Sequence, residues 1–336
     1  MSVQKIIANL RPEFEPNAMI TILLLLIGLG LVVLGADWLV EGASGVARRF
    51  GMSEFVIGLI IAGFGSSSPE LVVSLTGALA GNADIAVGNV IGSNIFNTLL
   101  VLGLTTLLRP VAMSDGNRRR DVPQMLAVTV LLLVLGMSHR LFGLGNADTL
   151  TRWEGLLMVG LFVGYLVLCL LRNTATPADG AMGKQRKLLV SCAMAVAGLA
   201  GLIFGGDMFV DAATAIAKQL GVSDKFIAIT ILAGGTSLPE LATSLMAVAK
   251  RRDQLALGNV IGSNVFNILL ILGSSALITP LSFGSVTLVD AAVLLLSAVL
   301  LLVWTHTGHS DRVDRWEGAV MIAAFVGYYI WLFGQM

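Results

Sequence analysis

The stretch GNVIGSN at residues 88–94 recurs without change at residues 258–264, 170 positions further along the chain. The same shift lays SSSPE at residues 66–70 on TSLPE at residues 236–240. Matches of this length at one constant spacing do not arise from the periodicity of a helix or a strand, and they indicate internal repetition. The two halves of the chain are therefore copies of one another.

Each half consists of apolar runs separated by short polar loops. A helix needs about 20 apolar residues to cross the hydrocarbon of a bilayer. On this rule the chain predicts ten spans, near residues 18–45, 54–80, 86–108, 122–138, 153–171, 187–217, 225–249, 255–279, 286–305 and 316–335. Five of these spans fall in each half.

The odd number of spans in each half determines how the two copies are related. After five crossings the chain has changed sides, so the second copy enters the membrane from the opposite face, as in many secondary transporters. The sequence predicts an all-α polytopic membrane protein with ten transmembrane helices. Its first five-helix repeat covers residues 18–171, and its second, inverted five-helix repeat covers residues 187–335.

The composition suits a chain that is surrounded by lipid. Of the 336 residues, 56% are hydrophobic and only 12% are charged, whereas about 25% are charged in a typical soluble domain. The net charge of zero offers no basic surface for nucleic acid. Cys169 and Cys192 lack the spacing of a disulfide framework or a zinc site. We expect no nucleic-acid partner, no obligate protein partner and no cofactor.

The basic residues indicate the orientation. The loops on one predicted face hold 15 of the 21 Lys and Arg residues, and they lie at residues 48–53, 109–121, 172–187, 250–254 and 306–315. Such an excess is typical of cytoplasmic loops. We therefore expect both termini outside the cell and the protein in a plasma membrane.

Two carboxylates stand near the middle of apolar spans. Glu70 follows a proline in the second span, and Glu240 follows one in the seventh. An ionisable residue at the centre of a membrane helix costs about 3 kcal/mol, which makes it a candidate functional residue. Because proline removes a backbone donor and opens the helix, we expect carbonyl groups at residues 63–66 and 233–236 to face a cation.

The third and eighth spans supply further polar side chains. Ser93 and Asn97 are four residues apart and share one helix face, as do Ser263 and Asn267. Their oxygen atoms can meet the broken helices. The glycines and the final asparagine of each GNVIGSN stretch favour close packing of helices instead.

All the candidate ligands are oxygen atoms. Hard cations such as Ca²⁺ and Na⁺ prefer oxygen, whereas zinc, copper and iron commonly take Cys or His. The charges of two carboxylates match one Ca²⁺ ion, and they match two or three Na⁺ ions to within one charge. The residues alone do not decide between Ca²⁺, Na⁺ and another hard cation.

The same residues favour a gradient-driven transporter. The chain lacks the GxxxxGK[ST] loop that binds ATP. A cation channel is a distant alternative, since channel pores usually repeat around an axis normal to the membrane. We do not expect an enzyme, because His139, His306 and His309 lie in predicted loops and leave the serines without a base.

The motifs GFGSSSPE and GGTSLPE, each followed by GNVIGSNxFN, resemble the paired α-repeats of the sodium/calcium exchanger family within the cation/calcium exchanger superfamily. The resemblance is greatest to its compact bacterial members and covers all ten predicted spans. It implies exchange of Ca²⁺ for Na⁺ by alternating access at a midplane site. It also implies a bacterial inner membrane as the location.

The resemblance implies roles for the residues that match the motifs. Glu70 and Glu240 would chelate Ca²⁺ and also serve Na⁺, while Ser66 and Thr236 would give backbone and side-chain oxygens to both ions. Two outer Na⁺ sites would each combine two serines with a backbone carbonyl group. Their members are Ser67, Ser93 and Gly63 in one half, and Ser237, Ser263 and Ala233 in the other.

One position departs from the family pattern. Asn97 matches an amide that is common in the first repeat, whereas many relatives carry Asp at the position of Asn267. The missing negative charge leaves open the ratio of exchanged ions and whether exchange depends on potassium. A proton- or potassium-coupled antiporter on the same scaffold is therefore the nearest alternative.

The first and sixth spans carry acidic pairs, Asp37 with Glu41 and Asp207 with Asp211. The resemblance implies that these long helices slide during transport. Because the acids lie toward helix ends, we interpret them as solvated or capping carboxylates outside the ion site.

Overall fold

The computed structural model describes residues 18–145, 147–171, 187–220, 233–307 and 312–335, and these are mostly helical. The first half contains α1 (Ala18–Phe50), α2 (Glu54–Ile57), the π-helical segment π1 (Gly58–Gly63), α3 (Phe64–Ser66), α4 (Ser68–Leu79), α5 (Ala83–Ile95), π2 (Phe96–Val101), α6 (Leu102–Leu108), β1 (Val111–Ala112), π3 (Asn117–Asp121), α7 (Val122–Gly136), α8 (Ser138–Phe142), β2 (Thr149–Leu150) and α9 (Arg152–Leu171). The second half contains α10 (Leu188–Gln219), α11 (Ala233–Gly235), α12 (Leu238–Ala249), α13 (Asp253–Phe266), π4 (Asn267–Leu272), α14 (Gly273–Ile278), β3 (Leu281–Ser282), α15 (Leu288–Trp304), β4 (Arg312–Val313) and α16 (Arg315–Gly334).

Six helices among the described residues are long and apolar enough to cross a membrane, and they are α1, α5 to α6, α9, α10, α13 to α14 and α16. The helices before and after Ser67 form a seventh candidate that is bent by 48°. α12 and α15 are apolar but shorter, and residues 225–232 of the seventh predicted span lie outside the described residues. The predicted membrane-type helical fold is confirmed, while the count of ten spans stays a prediction.

The helix that carries the second GNVIGSN stretch is the most enclosed of the six. Its apolar window is 94% buried, against 22–28% for α1, α9, α10 and α16. Gly258 and Gly262 allow this burial, because a Cβ atom there would lie 2.2 Å from Phe55 O and 2.8 Å from Leu59 Cα. The packing role predicted for the glycines is thus confirmed at these two positions.

The two longest helices, α1 and α10, form a tight pair through small residues. A Cβ atom added at Gly198 would lie 2.4 Å from the backbone nitrogen of Leu39, and one at Gly42 would lie 2.4 Å from that of Ala195. Backbones approach this closely only where glycine leaves room. Most of the remaining surface of the pair is exposed.

Two short antiparallel strand pairs join loops from the two halves. β1 pairs with β4, and β2 pairs with β3. A shift of 170 residues carries β1 onto β3, and a shift of 163 carries β2 onto β4. Each pair is therefore the counterpart of the other under the internal repeat.

Ion pairs fix the loop at residues 250–254 to the first half. Arg252 forms a buried ion pair with Glu54 at the start of α2. Lys250 Nζ lies 2.7 Å from Asp37 Oδ1 and 3.0 Å from Glu41 Oε1 on α1. The first acidic pair is thus bound to a lysine rather than simply solvated, and it belongs to a helix contact.

Candidate ion-binding site

The second span is interrupted at Ser67. This residue has φ −80° and ψ 10°, and the helix restarts directly after it with Pro69 in the first turn of α4. Proline is tolerated there because backbone N–H groups in the first turn of a helix have no intrahelical acceptor, so the missing N–H of proline costs no hydrogen bond. The restart also places Glu70 in the first turn, where the helix dipole favours a negative charge.

The second half repeats this geometry at Ser237. Its backbone has φ −93° and ψ 7°, and Glu240 stands in the first turn of α12 behind Pro239. Ala233, the counterpart of Gly63, begins the short helix α11. Glu70 and Glu240 are both 0% exposed, so two carboxylates lie fully inside the protein.

Glu70 is held by serines from both halves. The Ser237 hydroxyl donates to Glu70 Oε1 over 3.0 Å, and the Ser93 hydroxyl lies 3.4 Å from the same oxygen. Ser237 Oγ and Ser93 Oγ are 3.2 Å apart. The interrupted helix of the second half therefore meets the GNVIGSN helix of the first.

Glu240 has the mirrored arrangement. The Ser67 hydroxyl donates to Glu240 Oε1 over 2.7 Å, and the Ser263 hydroxyl lies 3.4 Å from it. Ser263 Oγ also lies 3.3 Å from the carbonyl oxygen of Gly63. Each glutamate thus receives one hydroxyl from its own half and one from the other, and the two halves share one site.

The hydrogen bonds group the serines differently from the family resemblance. The resemblance pairs Ser67 with Ser93 and Ser237 with Ser263. In the described residues the bonds instead join Ser93 to Ser237 and Ser67 to Glu240. The reason is that the interrupted helices cross between the halves, which local spacing does not reveal.

Several buried polar atoms at the site make no hydrogen bond of standard geometry among the described residues. They are Oε2 of Glu70, Oε2 of Glu240, Oγ1 of Thr236, Oδ1 of Asn267 and both polar atoms of the Asn97 amide. Buried polar groups without partners are rare and costly. A bound cation would supply the interaction that the oxygen atoms lack.

Amide groups connect the two central helices beside these oxygens. Asn267 Nδ2 donates to Asn94 Oδ1 over 3.0 Å, and Asn94 Nδ2 donates to the backbone oxygen of Asn264 over 3.3 Å. Asn264 Nδ2 donates to Thr98 Oγ1 over 2.7 Å. Asn94 and Asn264 therefore join helices, as predicted, while Asn267 Oδ1 has no hydrogen-bond partner among the residues that the structure describes.

Two asparagines near the glutamates have no predicted role in the sequence analysis. Asn89 Nδ2 donates to the backbone oxygen of Glu70 over 3.2 Å and to Ser74 Oγ over 3.0 Å. Asn259 makes the matching bonds in the second half. Their spacing could have predicted a role at the site, since each lies four residues before a site serine on the same helix face.

π-Helical segments adjoin the site at three places. π1 ends at Gly63, π2 contains Asn97, and π4 begins at Asn267. Single π-helical turns occur frequently at functional sites because they redirect side chains out of the regular helical phase. Hydrophobic periodicity does not distinguish them from α-helix, so the sequence predicted regular helices there.

The chain matches a known family over both halves. The family described as sodium/calcium exchanger protein matches residues 20–171 and 190–334. This chain belongs to the sodium/calcium exchanger family. It is therefore a multi-pass membrane protein of a family of cation antiporters.

Two relatives match it over nearly their full length. The putative antiporter CaxA of Alkalimonas amylolytica is 39% identical over 94% of this chain and 100% of the relative. The inner membrane protein YrbG of Escherichia coli K12 is 35% identical over 92% of this chain and 94% of the relative. A relative named as a putative antiporter is consistent with a transporter rather than an enzyme.

The fold is that of a solved exchanger. The sodium-calcium exchanger NCX_Mj, soaked without Na⁺ and Ca²⁺, superimposes with a TM-score of 0.81 at 31% identity, covering 94% of this chain and 99% of that chain. The predicted resemblance to compact members of the family is confirmed.

Proposed function

We propose that this antiporter exchanges Ca²⁺ for Na⁺ across the plasma membrane by alternating access at the site described above. The observation that carries the proposal is the pair of buried glutamates, each with one carboxylate oxygen that makes no hydrogen bond of standard geometry in the described part of the chain. Two carboxylates balance the charge of one Ca²⁺ ion. Among the described residues, neither glutamate has a Lys or Arg among its hydrogen-bond partners, so a cation from solution fits the charge.

We assign the ligands by position. Glu70 and Glu240 chelate Ca²⁺ and serve Na⁺ in turn, with oxygens of Ser66 and Thr236 beside them. Further oxygens for Na⁺ come from the serine hydroxyls and two backbone carbonyl groups, at Ser67, Ser93, Ser237, Ser263, Gly63 and Ala233. The amide oxygens of Asn97 and Asn267 complete the set. This part of the assignment is supported by the lack of a hydrogen-bond partner for both oxygens within the described ranges.

The proposal includes ten spans in two inverted repeats, residues 18–171 and 187–335. The duplicated sequence, the mirrored environments of the two glutamates and the two equivalent strand pairs support it. In such transporters the ion site lies between the repeats, which move around it. Each glutamate contacts one serine from each half. This arrangement suits a site that opens and closes when the two repeats move.

Ion gradients would drive the exchange. The family resemblance implies three Na⁺ for one Ca²⁺, so one net charge would cross the membrane per cycle. That movement is worth about 2.3 kcal/mol per 100 mV. With the usual inward Na⁺ gradient, the exchange would export calcium.

Purified protein in liposomes tests the coupling ion. ⁴⁵Ca²⁺ uptake is measured with outward gradients of Na⁺, K⁺ and H⁺ in turn, with protein-free liposomes as the control. We expect uptake with the Na⁺ gradient alone. We also expect a membrane potential that is positive outside to slow uptake, because three Na⁺ leave for each Ca²⁺ that enters and one net positive charge moves outward. Uptake that follows only the pH gradient would overturn sodium coupling in favour of a proton/calcium antiporter. A requirement for K⁺ would indicate potassium coupling.

A further inference from the structure

Asn259 contacts both halves of the site. Its Nδ2 donates to the backbone oxygen of Glu240 over 3.2 Å and to Ser244 Oγ over 2.9 Å. Its Oδ1 lies 3.3 Å from the hydroxyl of Ser66, which belongs to the interrupted helix of the other half. The side chain is fully buried, so one amide links two candidate ligands, Ser66 and Glu240, that are 174 residues apart in sequence.

The chemistry of the partners determines how the amide is turned. A backbone carbonyl oxygen only accepts hydrogen bonds, so the amide nitrogen of Asn259 must face Glu240. The amide oxygen then faces Ser66 and must accept the hydroxyl proton. Two other acceptors lie near the Ser66 hydroxyl, the carbonyl oxygen of Gly63 at 3.5 Å and the carboxylate of Glu240, and neither a carbonyl nor an ionised carboxylate has a proton to donate. The lone pairs of Ser66 Oγ are therefore left for a cation.

The same helix also steadies the carboxylate of Glu240. Ser263 follows Asn259 by four residues on α13, and its hydroxyl lies 3.4 Å from Glu240 Oε1. α13 thus holds Glu240 at the main chain through Asn259 and at the side chain through Ser263. A shift of α13 would therefore move both the main chain and the carboxylate of Glu240.

The first half has only part of this arrangement. Asn89 holds the backbone oxygen of Glu70 and Ser74 with nearly the same distances. The counterpart of Ser66 is Thr236, and its hydroxyl makes no hydrogen bond of standard geometry in the described part of the chain. The link across the halves is therefore a property of Asn259.

We propose that Asn259 is a positioning residue for ion binding, which orients the Ser66 hydroxyl and fixes Glu240 so that both present oxygen to the same cation. Asn89 fixes Glu70 alone. This inference rests on the proposed function only in taking Ser66 and Glu240 as ligands. It does not depend on which ion is coupled to calcium.

The test replaces the amide by an apolar group of similar size. The Asn259→Leu variant is compared with Asn264→Leu, which makes the same change five residues along the same helix, at a buried amide that bonds to Thr98 instead of a ligand. Each variant is assayed for the half-saturating Ca²⁺ concentration and the maximal rate of exchange in liposomes. The Ca²⁺-induced rise in unfolding temperature in detergent gives a second readout that needs no turnover.

We expect Asn259→Leu to raise the half-saturating Ca²⁺ concentration by about tenfold, which corresponds to the loss of one oriented ligand, and to reduce the Ca²⁺-induced thermal shift. In the absence of ions, Asn259→Leu and Asn264→Leu should lower the unfolding temperature by similar amounts, because each removes a buried amide. Asn264→Leu should nevertheless leave Ca²⁺ affinity within about threefold of the wild type. The effect of Asn259→Leu should shrink in a Ser66→Ala background, because contacting residues are not additive.

Equal losses of Ca²⁺ affinity in Asn259→Leu and Asn264→Leu would overturn the positioning role and leave only a structural one. If Asn259→Leu does not fold, Asn259→Asp retains the acceptor for Ser66 while losing the donor to Glu240, and unchanged Ca²⁺ affinity in that variant would also overturn it. A wild-type protein with no thermal response to Ca²⁺ or Na⁺ would instead contradict the ligand assignment itself.

Discussion

At the scale of single residues, the two buried glutamates differ from the structural carboxylates of this chain. Glu154 Oε2 accepts from the backbone N–H of Thr151 at a helix start, over 2.7 Å. Glu41 is paired with Lys250. Glu70 and Glu240 have hydroxyl partners at Oε1, while Oε2 of each makes no hydrogen bond of standard geometry with the described residues. Burying a charge in that way is costly unless a cation joins it.

Removing either charge should abolish calcium exchange. Glu70→Gln and Glu240→Gln keep the size of the side chain and an oxygen that accepts from serine, so we expect folded proteins with unfolding temperatures at or above that of the wild type. ⁴⁵Ca²⁺ flux in liposomes should fall to the level of protein-free liposomes. The matched control Glu154→Gln should retain flux, and near wild-type flux in either site variant would show that the site is misplaced.

Asn267 should set the ion selectivity. Its amide oxygen has no hydrogen-bond partner in the described residues but carries no charge, so the site has two anionic ligands and calcium exchange should proceed without K⁺. In Asn267→Asp a third buried carboxylate would have to take up a proton or recruit another cation.

We therefore expect wild-type flux to be indifferent to K⁺ and the flux of Asn267→Asp to become more sensitive to pH or K⁺. Exchange is measured in paired assays with and without K⁺ at several pH values. Strict K⁺ dependence of the wild type would contradict the role assigned to the neutral amide.

At the scale of elements, backbone contact between helices distinguishes α1 and α10. A methyl group at Gly198 would clash with the backbone nitrogen of Leu39 at 2.4 Å and the carbonyl oxygen of Gly35 at 2.6 Å. A backbone cannot move aside as the end of a flexible side chain can. The separation of the two helices is therefore set by their glycines.

Gly198→Ala should destabilise the protein by about 1–3 kcal/mol, because overpacking forces the backbones apart. Gly30→Ala on α1 is the matched control, since its Cβ atom would meet no described atom within 4 Å. Alanine also favours helix over glycine, so this control should be neutral or slightly stabilising. Thermal unfolding in detergent measures both, and an equal effect of the two changes would contradict the close contact.

At the scale of the whole molecule, loops that the sequence assigns to one membrane face contact each other. β1, in the loop at residues 109–121, pairs with β4, in the loop at residues 306–315. Asp253 accepts a hydrogen bond from the backbone N–H of Ala112 over 3.2 Å, and the adjacent Arg252 pairs with Glu54. Basic loops from both halves therefore meet, as expected if an even number of spans separates them.

Single-cysteine labelling should reveal the orientation. In a background without Cys169 and Cys192, cysteines at positions 115 and 183 should react only after the membrane is permeabilised. Cysteines at positions 82 and 336 should react with an impermeant reagent from outside. External labelling at position 115 would show that the orientation is the opposite of the predicted one. Retained flux in each cysteine variant is the control for correct folding.

The sequence alone determined the features that depend on local composition and on the internal repeat. Apolar runs, the prolines ahead of Glu70 and Glu240, and the repeated GNVIGSN stretch indicated a membrane-type helical protein with two interrupted helices. These signals are readable because lipid excludes unpaired backbone groups and makes a buried charge costly. The membrane-type helical fold and the family are confirmed, whereas the ten spans in two inverted repeats and the ion ligands stay predictions.

Only the tertiary structure decided which residues face each other across the repeat. Ser67 contacts Glu240, Ser237 contacts Glu70, and Asn259 reaches Ser66. These partners are separated by 167 to 193 residues, and their contacts follow from how the interrupted helices cross between the halves. Spacing along a chain specifies which side chains share a helix face, but the packing of one helix on another sets the distances between them.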